Sequence, residues 1–247
     1  METYPVEFAS SWSGEQLSAV ALAAPNGVRA LARKAASNPG HALRTAVALI
    51  RGRWCLTSAR LRGCRVRAGR NFRVYGRLHV RGPGEVVFGD DVSVLGRATP
   101  WTYSDDARIT VGDRVLLGAA RFGCVREISI GDDSILADVT ITDTDFHSTR
   151  ARRRHDDAPV RIAPVHIGRN VWLAQHAALL PGASIGENSV VSFGAVCMRA
   201  FPANVIIVGN PAKIAGPIPS DVCYRDRTEP PTIAVVGTER SLLADSP

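Results

Sequence analysis

Residues 167–201 read IGRNVW-LAQHAA-LLPGAS-IGENSV-VSFGAV-CMRAF, and the spacing inside this stretch decides the fold. An aliphatic or thiol side chain returns every six residues, at Ile167, Leu173, Leu179, Ile185, Val191 and Cys197. Four places after each stands a second small or apolar residue: Val171, Ala177, Ala183, Ser189, Ala195 and Phe201. A helix repeats near 3.6 residues and a half-buried strand at about 2, so a sustained six is neither. Three hexads can wind one coil of a triangular prism, each face a short parallel strand whose leading aliphatic points to the axis. Stacked coils then share one continuous core. Gly168, Gly182, Gly186 and Gly194, with Asn170 and Asn188, are residue types that tolerate the positive φ of tight corners. An ordinary parallel sheet would need a crossover of roughly a dozen residues, usually helical, between strands, and none fits here.

Outward from this stretch the same spacing recurs upstream. Val66, Phe72 and Leu78 are six apart, as are Phe88 and Val94, Val111 and Leu117, and Ile130 and Leu136. The signatures Phe88-Gly89-Asp90-Asp91-Val92, Val111-Gly112-Asp113-Arg114-Val115 and Ile130-Gly131-Asp132-Asp133-Ser134 echo Ile167-Gly168-Arg169-Asn170-Val171 and Ile185-Gly186-Glu187-Asn188-Ser189. The β-helix is therefore expected over roughly residues 64–208, with loops near Gly82–Glu85, Thr99–Asp106 and Arg121–Glu127. One long insertion, Asp143–Arg161, is polar and carries Arg150, Arg152, Arg153 and Arg154. At its root lies Thr142-Asp143-Thr144-Asp145-Phe146-His147, and loops on a rigid scaffold are where chemistry usually sits. Gly209-Asn210-Pro211-Ala212-Lys213 reads as the turn that ends the prism.

Ahead of the repeat, short helices are expected at 13–24 and 28–36. A third begins where Asn38-Pro39 offers a cap and a proline for the first turn. On it Leu43, Val47, Ile50 and Trp54 form one apolar stripe, flanked by Arg44, Arg51 and Arg53. Such a stripe usually packs on its own domain or on a neighbouring chain, although a basic amphipathic helix also suits a membrane surface. The organisation expected is a basic helical region over 1–62, a β-helix domain over 63–216 with its loop at 143–161, and a tail over 217–247.

The formal net charge of +7 is unevenly spread. Gln16–Gly84 holds fourteen Lys or Arg and no Asp or Glu, and subtracting those fourteen leaves −7 for the rest. Such a block can attract an anionic lipid surface, nucleic acid or an acidic polymer, or simply be a solvated face. Aromatic residues are too sparsely interleaved there for a nucleic-acid binder. Five scattered cysteines without a C-x-x-C pair point to neither a disulfide framework nor a thiolate metal site, and favour a reducing compartment. No apolar run approaches the ~20 residues of a spanning helix, and the first residues are acidic where a leader needs positive charge. A soluble, cytoplasmic protein follows, with peripheral contact at the inner membrane face as an option.

The runs Ile167–Ala174, Leu180–Gly186 and Val208–Lys213 resemble the hexapeptide-repeat acyltransferases, most closely the group of galactoside, maltose and polysaccharide O-acetyltransferases. The resemblance implies a left-handed parallel β-helix, mainly β, assembled as a homotrimer with acetyl-CoA in a groove between adjacent prisms. It also implies a sugar or glycan acceptor and a catalytic histidine on the long loop, which by position is His147. An imidazole of pKa near ~6.5 is largely neutral at pH 7 and can take a proton from an attacking hydroxyl. Asp145, or alternatively Asp143, is the candidate to orient its ring. The family's cofactor contacts carry over to Gln175, Phe193 and Gly194, with cations at Arg199 and Lys213 and with Trp172 walling the groove or packing between subunits. Phe193 and Met198 depart from the small residue and the Thr common in sugar acetyltransferases. No metal is expected.

Four other readings compete. A serine acetyltransferase would carry an Asp-His-Ala-Thr-Gly run, which is absent. A γ-class carbonic anhydrase needs three histidines with two close in sequence, and His147 and His155 are eight apart in an irregular loop. A longer acyl donor and a non-catalytic scaffold on the same β-helix remain open.

Overall fold

The computed structural model describes residues 39–219; the helices expected at 13–24 and 28–36, and the tail from residue 220, lie outside those residues. Three parallel sheets form the walls of a solenoid. The first face stacks Arg65–Ala68, Glu85–Phe88, Arg108–Val111, Glu127–Ile130, Val165–Ile167, Ser184–Ile185 and Ala200–Phe201. The second stacks Arg73–Val74, Ser93–Val94, Leu116–Leu117, Ile135–Leu136, Trp172–Leu173, Val190–Val191 and Val205–Val208. The third stacks Arg77–Leu78, Arg97–Thr102, Ala120–Cys124, Val139–Thr142, Ala178–Leu179 and Val196–Cys197. The chain visits the faces in that order, so each strand pairs with the strand three later, one coil on.

The six leading side chains and their six partners are all buried, none more than 4% exposed. They belong to one core that runs from Leu56 to Ala212. Two hydroxyls sit inside it. Ser134 donates to the Gly168 carbonyl and accepts from Val171 N–H, both at 3.1 Å, and Ser189 accepts from Val205 N–H at 3.2 Å. Each bond ties one coil to the next while satisfying a buried polar atom.

Register gives the coil length directly. Ile167 pairs with Ile185, Leu173 with Val191 and Leu179 with Cys197, 18 residues per coil. Between Ile130 and its partner Ile167 there are 37. Removing one coil of 18 leaves 19, the length of Asp143–Arg161. After Cys197 the coil contracts, because Ile185 pairs with Phe201 and Val191 with Ile207, 16 residues in each case. Phe201 is in the core, but it opens the next coil rather than completing the one before.

The expected loops differ in extent. Thr99–Thr102 and Arg121–Cys124 continue as strand on the third face, which is here six and five residues long. The chain turns only at 103–107 and 125–126. The corners follow the expectation more closely. Asn71, Asp91, Arg114, Asp133, Asn170, Asn188 and Asn204 all have φ between 54° and 62° where the first face turns into the second. Asn170 donates to the Asn188 side chain at 3.0 Å and Asn188 to that of Asn204 at 3.1 Å, a polar ladder down this corner. Gly168 and Gly186 are needed for close approach instead of positive φ, since a Cβ on either would meet backbone of the next coil within 2.6 Å.

Helix α1, Pro39–Leu61, packs on the first coil. Its buried residues are Ala48, Gly52, Leu56 and Ala59, and Arg51 and Arg60 donate to the carbonyls of Tyr75 and Val66 at 2.7 and 2.9 Å. The stripe of Leu43, Val47, Ile50 and Trp54 is exposed, so it does not cover the β-helix. Small side chains let the helix axis come close to the coil, and the bulkier stripe is turned away. At the other end Lys213–Pro217 runs antiparallel to Val205–Val208 and closes the prism.

Candidate functional site

The long insertion leaves at the corner between the third and first faces, and its first residue is a buried anchor. Asp143 is 0% exposed. Its carboxylate accepts from the N–H groups of Val125, Arg126 and Glu127 at 2.8, 2.6 and 2.7 Å and from the Cys124 thiol at 3.4 Å. Three backbone donors aimed at one carboxylate satisfy a charge that would otherwise be costly to bury. Burial, with the Asp143 charge beside it, pushes the Cys124 thiol well above its usual range. Asp143 thus holds the neighbouring corner and faces away from any role on His147.

Past this anchor the insertion forms a narrow neck. Ala163 N–H donates to the Asp143 carbonyl at 2.9 Å and Asp145 N–H to that of Arg161 at 3.1 Å, with an antiparallel bridge between Thr144 and Ile162. Phe146 follows in the left-handed region at φ 58°, its N–H held by Thr144 Oγ1 at 3.1 Å. That conformation costs a non-glycine residue about 1–2 kcal/mol, and strain of this kind gathers at functional sites. His147 comes next and is exposed. Its N–H donates to the Asp145 carbonyl at 2.7 Å, so the link between these two candidates is through the backbone. Among the described residues no hydrogen bond or ion pair ties down the imidazole.

Beside His147 runs a row of aromatic rings. Phe146 meets Tyr103 edge to face at 4.9 Å, Tyr103 stacks on Trp101 at 4.9 Å and 17°, and the Arg81 guanidinium lies 5.6 Å from the Trp101 ring. The row was not legible in the sequence, because Trp101 and Tyr103 fall where the hexad spacing is interrupted.

Most of the residues carried over as cofactor contacts lie elsewhere. Gln175 and Gly194 occupy the corner between the second and third faces in successive coils, where Gly194 N–H donates to the Gln175 carbonyl at 3.0 Å. Phe193, largely exposed, packs edge to face on His176 at 5.1 Å, and His176 Nδ1 is 3.5 Å from Asp138 Oδ2. Trp172, half exposed, begins the second-face strand of the same coil. Arg199 sits at the corner between the third and first faces, two coils after the insertion, with its guanidinium over Phe201 at 5.0 Å, and Lys213 is exposed at the start of the closing strand. One chain therefore places the candidate base at the corner between the third and first faces, and Gln175, Phe193 and Gly194 at the corner between the second and third, with Trp172 on the second face. Among the described residues no cluster of three or more His, Cys, Asp or Glu side chains could hold a metal.

No family model matches the chain. Over 62 residues it is 42% identical to a protein of Staphylococcus aureus (strain COL) named as an acetyltransferase, a match covering 25% of this chain and 31% of that protein. It is 32% identical over 113 residues to the galactoside O-acetyltransferase of Escherichia coli (strain K12), 46% of each chain. The chain thus spans less than half the length of these curated relatives. Among solved structures it is similar to the polysialic acid O-acetyltransferase OatWY, with TM-score 0.53 and 26% identity over 62% of this chain and 74% of that one. The N-acyltransferase AntD from Bacillus cereus, solved with dTDP and coenzyme A, shares the fold at TM-score 0.54 and 16% identity over 66% of this chain and 89% of that one. By repeat, fold and sequence likeness, the β-solenoid of this chain is similar to acetyltransferases of the hexapeptide-repeat kind.

Proposed function

We propose that the protein is an acetyl-CoA-dependent O-acetyltransferase acting on a sugar hydroxyl of a glycan, glycolipid or glycosylated small molecule. The observation that carries this reading is the placement of His147, exposed and unconstrained at its ring, at the neck of the long insertion in a solenoid of this family. The neutral imidazole takes the proton of the acceptor hydroxyl as its oxygen adds to the thioester carbonyl. A backbone N–H stabilises the oxyanion, and collapse expels the thiolate of CoA, which recovers the proton from the imidazolium. Asp145 shapes the turn that presents the ring.

The division of candidates between two corners supports an assembled enzyme. The His147 corner of one copy would face the Phe193 corner and the adjoining Trp172 of another, with acetyl-CoA between them, Gln175 and Gly194 on its pantetheine arm and Arg199 and Lys213 on its phosphates. A trimer of prisms satisfies this arrangement. The exposed stripe of α1 beside Arg51 and Arg53 supports peripheral contact with an anionic membrane.

The test is release of free thiol from acetyl-CoA with a panel of sugars and glycan precursors, wild type beside His147→Ala. Acceptor-dependent release that falls at least about 100-fold in the variant is expected. A protein that neither releases thiol nor binds CoA would be a scaffold instead.

A further inference from the structure

The third face carries, in its first two coils, an outward surface that neither the core nor the proposed chemistry uses. Arg77 and Arg97 are register partners in adjacent strands and both point outward. Like charges placed opposite each other destabilise a strand pair, and neither guanidinium meets a carboxylate among the described residues. Arg81 and Trp101 form the next bridged pair on this face, with the guanidinium over the indole ring. Tyr103 and Phe146 continue the row to His147.

The rings are not filling a core. Trp101, Tyr103 and Phe146 are 42%, 43% and 41% exposed. Parallel rings in van der Waals contact are about 3.5–4 Å apart, so a centroid distance of 4.9 Å at 17° means an offset stack that leaves a strip of each ring open. Phe146 reaches the row only through its left-handed backbone, a local cost that core packing does not require of a half-exposed residue.

We infer that this arginine and aromatic row binds an acidic sugar chain and lays it along the prism so that one of its hydroxyls meets His147. Apolar sugar faces lie on Trp101 and Tyr103, and carboxylates of the sugar chain neutralise Arg77, Arg81 and Arg97, which form no ion pair among the described residues. Arg81, Trp101 and Gly123, which carries the Phe146 ring, are register neighbours from coil to coil, with the Arg77 and Arg97 pair four residues earlier in the same coils, so the patch extends over several coils and suits an extended polymer better than a single compact sugar. Charge complementarity selects an acidic chain over a neutral one. This deepens the acyltransferase reading by naming the class of acceptor, and it rests on that reading for the role of His147.

Titration calorimetry on the full chain tests it, with hexamers of galacturonic acid and of sialic acid as probes and maltohexaose as the neutral control. Wild type should bind at least one acidic hexamer and not maltohexaose. Trp101→Ala, and separately Arg81→Gln with Arg97→Gln, should weaken that binding roughly tenfold, while Trp101→Tyr restores most of it. Acetyl-CoA affinity is measured on the same samples. If acidic hexamers bind through Trp101 but acetyl-CoA does not bind, the acyl-transfer reading fails and the sugar platform stands. If acetyl-CoA binds while no hexamer binds, or Trp101→Ala binds as wild type does, the platform is overturned. It is equally overturned if a nucleoside diphosphate binds through Trp101 in place of the hexamers. Sedimentation showing that Trp101→Ala dissociates an oligomer would make this face a contact between copies.

Discussion

The Phe146 ring rests on the backbone of Gly123: a Cβ added at position 123 would come within 2.5 Å of Phe146 Cζ. A strand residue on the third coil thus sets the position of the residue that precedes the candidate base.

Gly123→Ala should therefore act mainly on activity. The new methyl group displaces the ring, and His147 moves with the strained turn. A shift of about 1 Å at a reacting group costs roughly 100-fold, so a fall of 10- to 100-fold in kcat/KM is expected. The displaced ring is partly exposed, so the midpoint of thermal unfolding should move by only a few degrees. A loss of stability without a loss of rate would show that Phe146 does not position His147.

Asp143→Ala should be a folding variant. It strands the N–H groups of Val125, Arg126 and Glu127, and each part-buried donor left unpaired costs about 1 kcal/mol, the low end for a buried one. A destabilisation of about 3 kcal/mol or more in urea unfolding is expected, against a smaller loss for Asp143→Asn, which keeps one oxygen acceptor. If Asp143→Ala were as stable as wild type and merely slow, the anchor assignment would be wrong.

Burial pushes the Cys197 thiol up to about 12. The unfolded thiol ionises near ~8.5, so above that pH the native state holds a proton that the unfolded chain releases. This contribution to stability is present below pH ~8.5 and is lost as pH rises toward the native value. Cys197→Val should lose less stability than wild type between about pH 9 and 11, as followed by urea midpoints. The Cys197 and Cys124 thiols should also resist a disulfide reagent until the protein unfolds.

Replacing Leu43, Ile50 and Trp54 with Ser tests the outward stripe of α1. These side chains are exposed, so unfolding free energy should stay within about 0.5 kcal/mol per site. Co-sedimentation with vesicles containing anionic lipid should fall if the stripe contacts a membrane. Unchanged partitioning would leave the basic region without that role.

Legibility from sequence followed the physical strength of each signal. The hexad spacing of 167–201 is imposed by a core that admits one side chain per strand face, so Ile167, Leu173 and their successors were readable without further help. The same spacing fixed the insertion, and the surplus of 19 residues between Ile130 and Ile167 agrees with it. The stripe of α1 was readable as a pattern but not as a direction, since Ala48, Gly52 and Ala59 bind the coil by closeness rather than by bulk. Asp143 and Asp145 look alike in the sequence, and only the turn at Val125–Glu127, 16 to 18 residues upstream, separates them. The row from Arg81 to Phe146 is assembled from three coils and has no local signature at all.

A parallel solenoid presents unsatisfied backbone at its first and last coils, and such open edges invite end-to-end growth into fibres. Here α1 lies on the first coil and the antiparallel strand Lys213–Pro217 reverses the direction of the last. On the second face a copy arriving at the last coil meets a strand of the wrong polarity, and at the first coil it meets a helix packed on the first two strands. Growth along the axis through these two faces of the prism is thereby discouraged.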